Sequence, residues 1–135
     1  MKRSLIFGLL MVAIAITCAV ATVGFAQEKA AKSRVAEVEK FHDLLKQVWH
    51  EHYPAKEWAK IRSMRGDLVA RKDAVMEVRL RIKPGDQARV EEARKKFGAS
   101  VNSFAEVAGN GSDSGLGDSV IKMHEAFEVL NDLIR

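Results

Sequence analysis

Four histidines are the residues of this chain whose side chains could bind a ligand or a metal ion. His42, His50 and His52 lie in the first half of the sequence. His124 lies near its end, and Glu128 follows four residues later. Neutral imidazole and carboxylate groups are ligands that suit zinc, nickel and copper(II). The sequence therefore raises the hypothesis of a transition-metal site, provided that the fold brings these residues together.

Catalytic motifs are not recognisable around these histidines. In His50-Glu51-His52 the two imidazoles are two positions apart and would point about 200° away from each other on a helix. A zinc-protease motif instead separates its histidines by four positions, so that both face one metal. No serine stands in a G-x-S-x-G setting, and no phosphate-binding G-x-x-x-x-G-K pattern occurs. We expect that the protein is not an enzyme.

The first 26 residues predict a signal peptide. Lys2 and Arg3 form the positive end, 24 uncharged residues then precede Glu28, and Gly24-Phe25-Ala26 supplies small residues for cleavage. We therefore expect a periplasmic or secreted protein of 109 residues, numbered 27–135. The alternative is an uncleaved N-terminal membrane anchor, because an apolar run of this length could span a hydrocarbon core of about 30 Å.

The processed chain has a balanced charge and no thiol. Without Lys2 and Arg3 the 22 basic residues become 20, against 18 acidic residues, which gives a net charge of +2. The only cysteine, Cys18, lies inside the signal, so the mature chain can form no disulfide and no covalent haem linkage. We expect one small domain held by packing, with no affinity for nucleic acid and none for membranes after cleavage.

From residue 28 onward, apolar residues recur at alternating steps of three and four, the period of an amphipathic helix. Pro54, Pro84-Gly85 and the glycine-rich stretch 109–115 interrupt this pattern. We predict helices over 28–53, 55–82, 86–108 and 117–134, packed as an all-α, antiparallel up-down-up-down four-helix bundle. Apolar residues from Met76 to Ile82 alternate with charged ones as in a strand, but a lone strand would leave its backbone unpaired, so we predict helix there.

The first and last helices should form an antiparallel pair. If Tyr53 lies level with Gly117, facing positions have numbers that sum to about 170. His42 then lies level with Glu128, and His124 lies one turn away, about 6 Å along the axis. We predict that these side chains converge on a zinc, copper or nickel ion. The predicted ligands are His42, His124 and Glu128, with His50 and His52 as weaker candidates.

His42 can also be explained without a metal. It falls on the predicted core stripe, where an imidazole needs hydrogen-bond partners such as Glu128, Arg62 or a buried water. Gly66 and Gly98 fall near the same level, and each costs about 1 kcal/mol relative to alanine inside a helix. That cost is easier to understand if room is needed around His42. The structural and the metal-binding interpretations both stay open at this point.

Aromatic residues gather where the first helix meets the second. Trp49 and Tyr53 are one helical turn apart, and Trp58 begins the next helix. One interpretation is an aromatic plug that closes the end of the core. The other is a surface that docks a periplasmic protein partner or a second copy of the chain, or a second metal site that uses His50 or His52.

An exported domain of this length with four antiparallel helices resembles the periplasmic four-helix cytochromes of the c-prime and b types, and periplasmic helical metal-binding proteins. The c-prime type carries C-x-x-C-H in its last helix, where this chain has Lys122-Met123-His124-Glu125. The resemblance thus implies a helical bundle without covalent haem. Noncovalent haem between His42 and His124 is a third functional hypothesis, which would make the protein an electron carrier.

Overall fold

The computed structural model describes residues 36–80, 82 and 84–134, all of them in helices, turns or irregular segments and none in a strand. The predicted signal peptide and its cleavage site lie outside these residues. The helices are α1 at 36–46, which continues as a π-helical turn at Gln47–His52, then α2 (Trp58–Ser63), α3 (Arg65–Glu77), α4 (Gln87–Asn110) and α5 (Asp113–Ile134). Within this part of the chain, no helix combines the length and the apolar character that a membrane span needs.

Buried apolar residues follow helical spacing on each long helix and form one hydrophobic core. In α1 the buried stripe consists of Val38, Phe41, Leu45 and Val48. His42, which the sequence places on this stripe, lies at its edge. The largest buried side chains of α4 and α5 are Phe97, Phe104, Leu116, Met123, Phe127 and Leu130. Packing of these stripes against one another supplies the main stabilisation that a chain without disulfides requires.

The second predicted helix, 55–82, differs from the structure at both ends and in the middle. Helix begins at Trp58, breaks at Met64 between α2 and α3, and ends at Glu77. Beyond it Val78 is extended, with φ −68° and ψ 125°. The described residues 78–80 and 82 of this strand-like stretch are irregular, so the prediction of helix up to residue 82 is wrong.

The connection between α4 and α5 is shorter than predicted. Only Gly111 and Ser112 lie outside the two helices, so helix extends beyond 108 and begins before 117. The Gly115 N–H donates to Ser112 Oγ at 3.0 Å, and the Leu116 N–H donates to Ser112 O at 2.9 Å. Ser112 thus caps the first turn of α5, which lets a glycine-rich segment start a helix.

The described helices pack mainly as antiparallel neighbours. The two-residue link folds α5 back along α4, and α4 also packs against α3. Phe41 of α1 meets both Phe97 of α4 and Phe127 of α5. Glu37 Oε2 of α1 lies 4.0 Å from Arg71 Nη1 of α3. α1 and its π-helical turn thus pack along α5, and the seam between them contains His42 and His124.

Candidate functional site

The seam between α1 and α5 has the register that the sequence predicts. A Cβ atom placed on Gly117 would lie 3.5 Å from the Tyr53 ring and 3.5 Å from the Trp58 ring. At this distance an added Cβ atom would be in ordinary van der Waals contact with both rings, so the two rings pack directly on the α5 backbone at Gly117. The prediction that Tyr53 lies level with Gly117 is confirmed.

Three rings stack in a column along this seam. The Tyr53 and Trp49 rings are nearly parallel, with centroids 5.3 Å apart and planes at 5°. Trp49 in turn stacks on His124 of α5, with centroids 4.1 Å apart and planes at 11°. All three side chains are half-buried. We call Tyr53, Trp49 and His124 the ring column.

The π-helical turn positions the α1 half of the ring column. The Tyr53 N–H donates to Val48 O at 2.8 Å, and the Glu57 N–H donates to His52 O at 2.9 Å, both across five residues. A π-helical turn holds one more residue than an α-helical turn, so it changes the direction of every side chain that follows, and such turns are frequent at functional sites. Sequence periodicity did not predict it.

His42 lies in the same seam, on the side of α1 that faces α5. Its ring centroid is 5.2 Å from that of Phe127, with the planes at 39°. The imidazole is half-buried rather than part of the buried core stripe. Arg62, one predicted partner of His42, instead donates hydrogen bonds to carbonyl groups at the C-terminus of α4. The prediction that His42 is a core residue is therefore wrong, whereas its contact with Phe127 of α5, one residue before Glu128, agrees with the predicted register.

The glycines do not make room for His42. Gly66 is exposed, and a Cβ atom there would meet nothing within 4 Å. A Cβ atom on Gly98 would lie 3.4 Å from Met76 Sδ, so its space is used by a methionine side chain. The proximity argument for these two residues fails, because Gly66 faces open space and Gly98 faces Met76 of α3.

The electrostatic surroundings of His124 favour the neutral imidazole. Partial burial lowers its pKa below the usual value of 6.5, because the charged form is poorly solvated there. Glu128 opposes this effect, whereas the charges of His50 and His42 lower the pKa further, and Glu125 raises it. A neutral imidazole has a nitrogen lone pair that can bind a metal ion.

These residues do not form a preassembled metal site. Among the residues that the structure describes, no group of three His, Asp or Glu side chains is arranged to hold an ion. His42 and His124 share the seam, and His50 and Glu128 lie near enough for their charges to act on His124. An ion would therefore bind only after rotation of one or more of these side chains.

His52 has a different partner. Its Nδ1 donates to Glu57 Oε2 at 2.7 Å, and Lys60 Nζ donates to Glu57 Oε1 at 2.8 Å. These two hydrogen bonds, first from Lys60 and then from His52, lower the pKa of the Glu57 carboxyl. The network spans the turn at 53–56, where Lys56 adopts a left-handed φ of 54°. His52 thus connects the π-helical turn to α2.

The aromatic corner has the packing expected of a plug. Trp49, Tyr53 and Trp58 are partly buried against the hydrophobic core. Trp58 meets the Tyr53 ring edge to face, with centroids 6.1 Å apart and planes at 74°. The His42 ring packs on Phe127 and the His124 ring stacks on Trp49, so each proposed haem ligand already contacts an aromatic ring. The docking surface and the haem hypothesis stay predictions.

Two arginines cap helix ends, and sequence reasoning missed both. Arg62 donates to Val107 O and Ala108 O at 3.1 Å and to Gly111 O at 2.9 Å, at the C-terminus of α4. Arg94 donates to the carbonyl oxygens at the end of α3, which belong to Val75, Met76 and Val78. A cation here satisfies free carbonyl groups and complements the helix dipole. The same register rule, applied to the second and third predicted helices, would have paired Arg62 with the end of α4.

No family model, curated protein or solved structure matches this chain.

Proposed function

We propose that the protein is an exported helical-bundle binding protein that holds a transition-metal ion in the seam between α1 and α5. The residues proposed as ligands are His42, His124 and Glu128. Export rests on the signal-like pattern of residues 1–26. The four-helix bundle is supported by the antiparallel contacts of α1, α4 and α5. In this arrangement α2 and α3 together form the second of the four helices.

One observation carries the metal proposal. His42 faces Phe127, the residue before Glu128, and His124 stacks on Trp49, which is two turns from His42 on α1. Two imidazoles from opposite helices therefore lie along the same half-buried seam, beside a carboxylate. Imidazole with carboxylate suits zinc, nickel or copper(II). The half-buried position leaves the ring edges accessible to an ion from the solvent.

Metal titration of the mature chain tests this function. Residues 27–135, purified without an affinity tag, should bind one zinc or copper(II) ion in calorimetric titration. Replacing both histidines, His42→Ala and His124→Ala, should abolish binding while circular dichroism still reports a helical fold. Affinity should fall as the pH drops below about 6.5, because protons compete for imidazole nitrogens. Wild-type protein that binds neither ion, or binds equally well between pH 5 and 8, would refute the proposal.

A second candidate function is docking of a protein partner at the aromatic corner. It is favoured by the partial exposure of Trp49, Tyr53 and Trp58, since such rings are common anchors at interfaces. Trp58 separates the two functions, because it touches Tyr53 rather than His124. If docking is the function, Trp58→Ala removes a captured partner from pull-down experiments. If metal binding is the function, the same variant keeps the affinity for zinc.

A further inference from the structure

A basic groove lies along α3 and α4. It consists of two cavities of about 570 Å³ and 320 Å³, which meet at Asn102 of α4. Small and apolar residues of both helices line it, among them Gly66, Val69, Met76, Gly98 and Ala105. Its charged lining consists of one carboxylate, that of Glu91, and the cations Arg62, Arg65, Lys72, Arg94 and Lys95. We call this surface the α3–α4 groove, and its charge fits an anionic partner.

Two of the five cations are free to bind such a partner. Arg62 and Arg94 already bind carbonyl groups at helix ends. Lys72 is buried, and its amine pairs with the carboxylate of the next residue at 2.6 Å. Arg65 and Lys95 are exposed, and neither forms an ion pair with any residue that the structure describes. An anion that enters the groove therefore meets these two side chains without displacing an existing contact.

The two free cations lie far apart along the groove. A Cβ atom on Gly109 would lie 3.1 Å from Arg65 Nη1, so this guanidinium is level with Gly109 of α4. Lys95 lies 14 residues earlier on α4, which is about 21 Å along the helix axis. Lys72 lies near the midpoint, because it donates to Asn102 Oδ1 at 3.0 Å, and Asn102 is seven residues from each end.

The exposed face of α5 carries the opposite charge with the same spacing. Asp118, Glu125 and Asp132 are exposed and seven residues apart, so they lie on nearly one line, at intervals of about 10.5 Å. None of the three forms an ion pair within the described part of the chain. The whole helix has five carboxylates against one lysine, Lys122, a net charge of −4. Val129, which is 55% exposed, lies on the same side. We call Asp118, Glu125, Val129 and Asp132 the acidic face of α5.

We propose that the α3–α4 groove binds the acidic face of α5 from a second copy of this chain. Asp118 and Asp132 are 14 residues apart, as are the positions of the two free cations along α4, and Glu125 matches the midpoint. Opposite charges at equal spacing fix the register, whereas two grooves or two acidic faces repel each other. The contact is heterologous, because its two surfaces differ. It does not involve the α1–α5 seam and is independent of metal binding.

Sedimentation equilibrium of the mature protein, with a chelator present, tests this association. At low salt the average mass should rise above that of the monomer as the concentration increases from micromolar to millimolar. Raising the ionic strength from about 0.1 M to about 1 M shortens the screening length from about 10 Å to about 3 Å and should return the protein to monomer. A protein that stays monomeric at low salt over the whole range would overturn the proposal.

Charge reversal tests whether the two named surfaces form the contact. Arg65→Glu with Lys95→Glu makes the groove acidic, and Asp118→Lys with Asp132→Lys makes the face of α5 basic. Each double variant alone should associate at least about tenfold more weakly than wild type, because like charges then face each other. An equimolar mixture of the two should regain the association, because the acidic groove of one variant meets the basic α5 of the other. A mixture that associates no better than its components would overturn the proposal.

A matched control separates the groove from net charge. Lys46→Glu with Lys60→Glu reverses two exposed cations outside the groove and should leave the association unchanged. If this variant loses the association as completely as the groove variant does, net charge governs it and the proposal fails. Circular dichroism checks that every variant keeps its helical content. Since the chelator removes free metal ions, the outcome is separate from whether the seam binds zinc.

Discussion

Two clusters of three rings lie within a few turns of each other and differ in almost every physical property. Phe41, Phe97 and Phe127 are completely buried, and Phe41 meets Phe97 at 88° with centroids 4.8 Å apart. The ring column of Tyr53, Trp49 and His124 is half-buried and stacks nearly parallel. One cluster contains only hydrocarbon, whereas the other ends in an imidazole.

The difference separates buried rings, which stabilise the fold, from partly buried rings, which reach solvent. Crossed phenyl rings fill the interior from several helices, and each removes its whole surface from water. Parallel rings at the seam instead keep their polar edges near solvent, where a hydroxyl, an indole N–H and an imidazole can find partners. His42 lies where the clusters meet, because its ring packs on Phe127. We therefore expect substitutions in the two clusters to have separable effects.

The largest effect is expected from the buried cluster. Phe97→Ala should lower the free energy of unfolding by about 3–5 kcal/mol, since it removes a fully buried ring and leaves a cavity. Urea denaturation followed by circular dichroism measures this loss. Zinc affinity of the folded protein should change much less than stability, because Phe97 reaches the proposed ligand His42 only through Phe127. A loss below about 1 kcal/mol would show that the buried cluster does not dominate stability.

Disrupting the ring column should have an intermediate effect on stability. Trp49→Ala should cost about 2 kcal/mol, less than a fully buried aromatic ring, because the Trp49 side chain is only partly buried. Trp49→Phe retains a ring that can stack and serves as the control. Its midpoint in urea should lie close to that of wild type. Equal destabilisation by both substitutions would mean that stacking on Tyr53 and His124 contributes nothing.

The pH dependence of stability should reveal His124, with an effect smaller than that of Trp49→Ala. Because the pKa of His124 is lower in the folded state, the unfolded chain binds its proton first as the pH falls below about 6.5. The stabilisation is complete above that value and is lost as the pH falls through the folded pKa. His124→Gln should therefore show a smaller decrease in urea midpoint between pH 7.5 and pH 5 than wild type, and an unchanged decrease would contradict this.

The smallest effect is expected at the end of the π-helical turn. His52→Ala should reduce stability by less than about 1 kcal/mol, since its partner Glu57 is partly exposed and solvent screens the pair. Thermal unfolding at neutral pH measures the change, and Glu57→Gln should give a similar value. A loss as large as that of Trp49→Ala would mean that the turn depends on this contact rather than on the rings.

The core and the α1–α5 register could be predicted because they follow from repeating patterns. Val38, Leu45, Phe97 and Phe127 fall at helical spacing, and burial of such a stripe fixes which face of a helix points inward. The pairing of Tyr53 with Gly117 follows from antiparallel neighbours whose axial rise per residue is equal. Both inferences need only the regular geometry of an α-helix.

The features that the sequence did not predict depart from regular α-helical geometry. The π-helical turn depends on hydrogen bonds across five residues at Tyr53, and no apolar spacing distinguishes it from an α-helical turn. α3 ends at Glu77, where the strand-like alternation begins, and the prediction set that local signal aside because a lone strand would be unpaired; the carbonyl groups there are instead bound by Arg94 of α4, a contact that local sequence could not show. His42 lies at the edge of the buried stripe of α1 rather than within it, because apolar spacing alone does not distinguish a residue at the edge of a stripe from one at its centre.

Nuclear magnetic resonance of the histidine side chains tests the central claim most directly, because it reports on each imidazole separately. Mature protein labelled with ¹⁵N should be titrated with zinc at neutral pH, while the ring nitrogens of all four histidines are observed. We predict that one equivalent of zinc shifts the ring-nitrogen resonances of His42 and His124 and leaves those of His52, which is hydrogen-bonded to Glu57, in place. If the ring nitrogens of His42 and His124 stay unchanged at one equivalent, the seam between α1 and α5 is not a metal site.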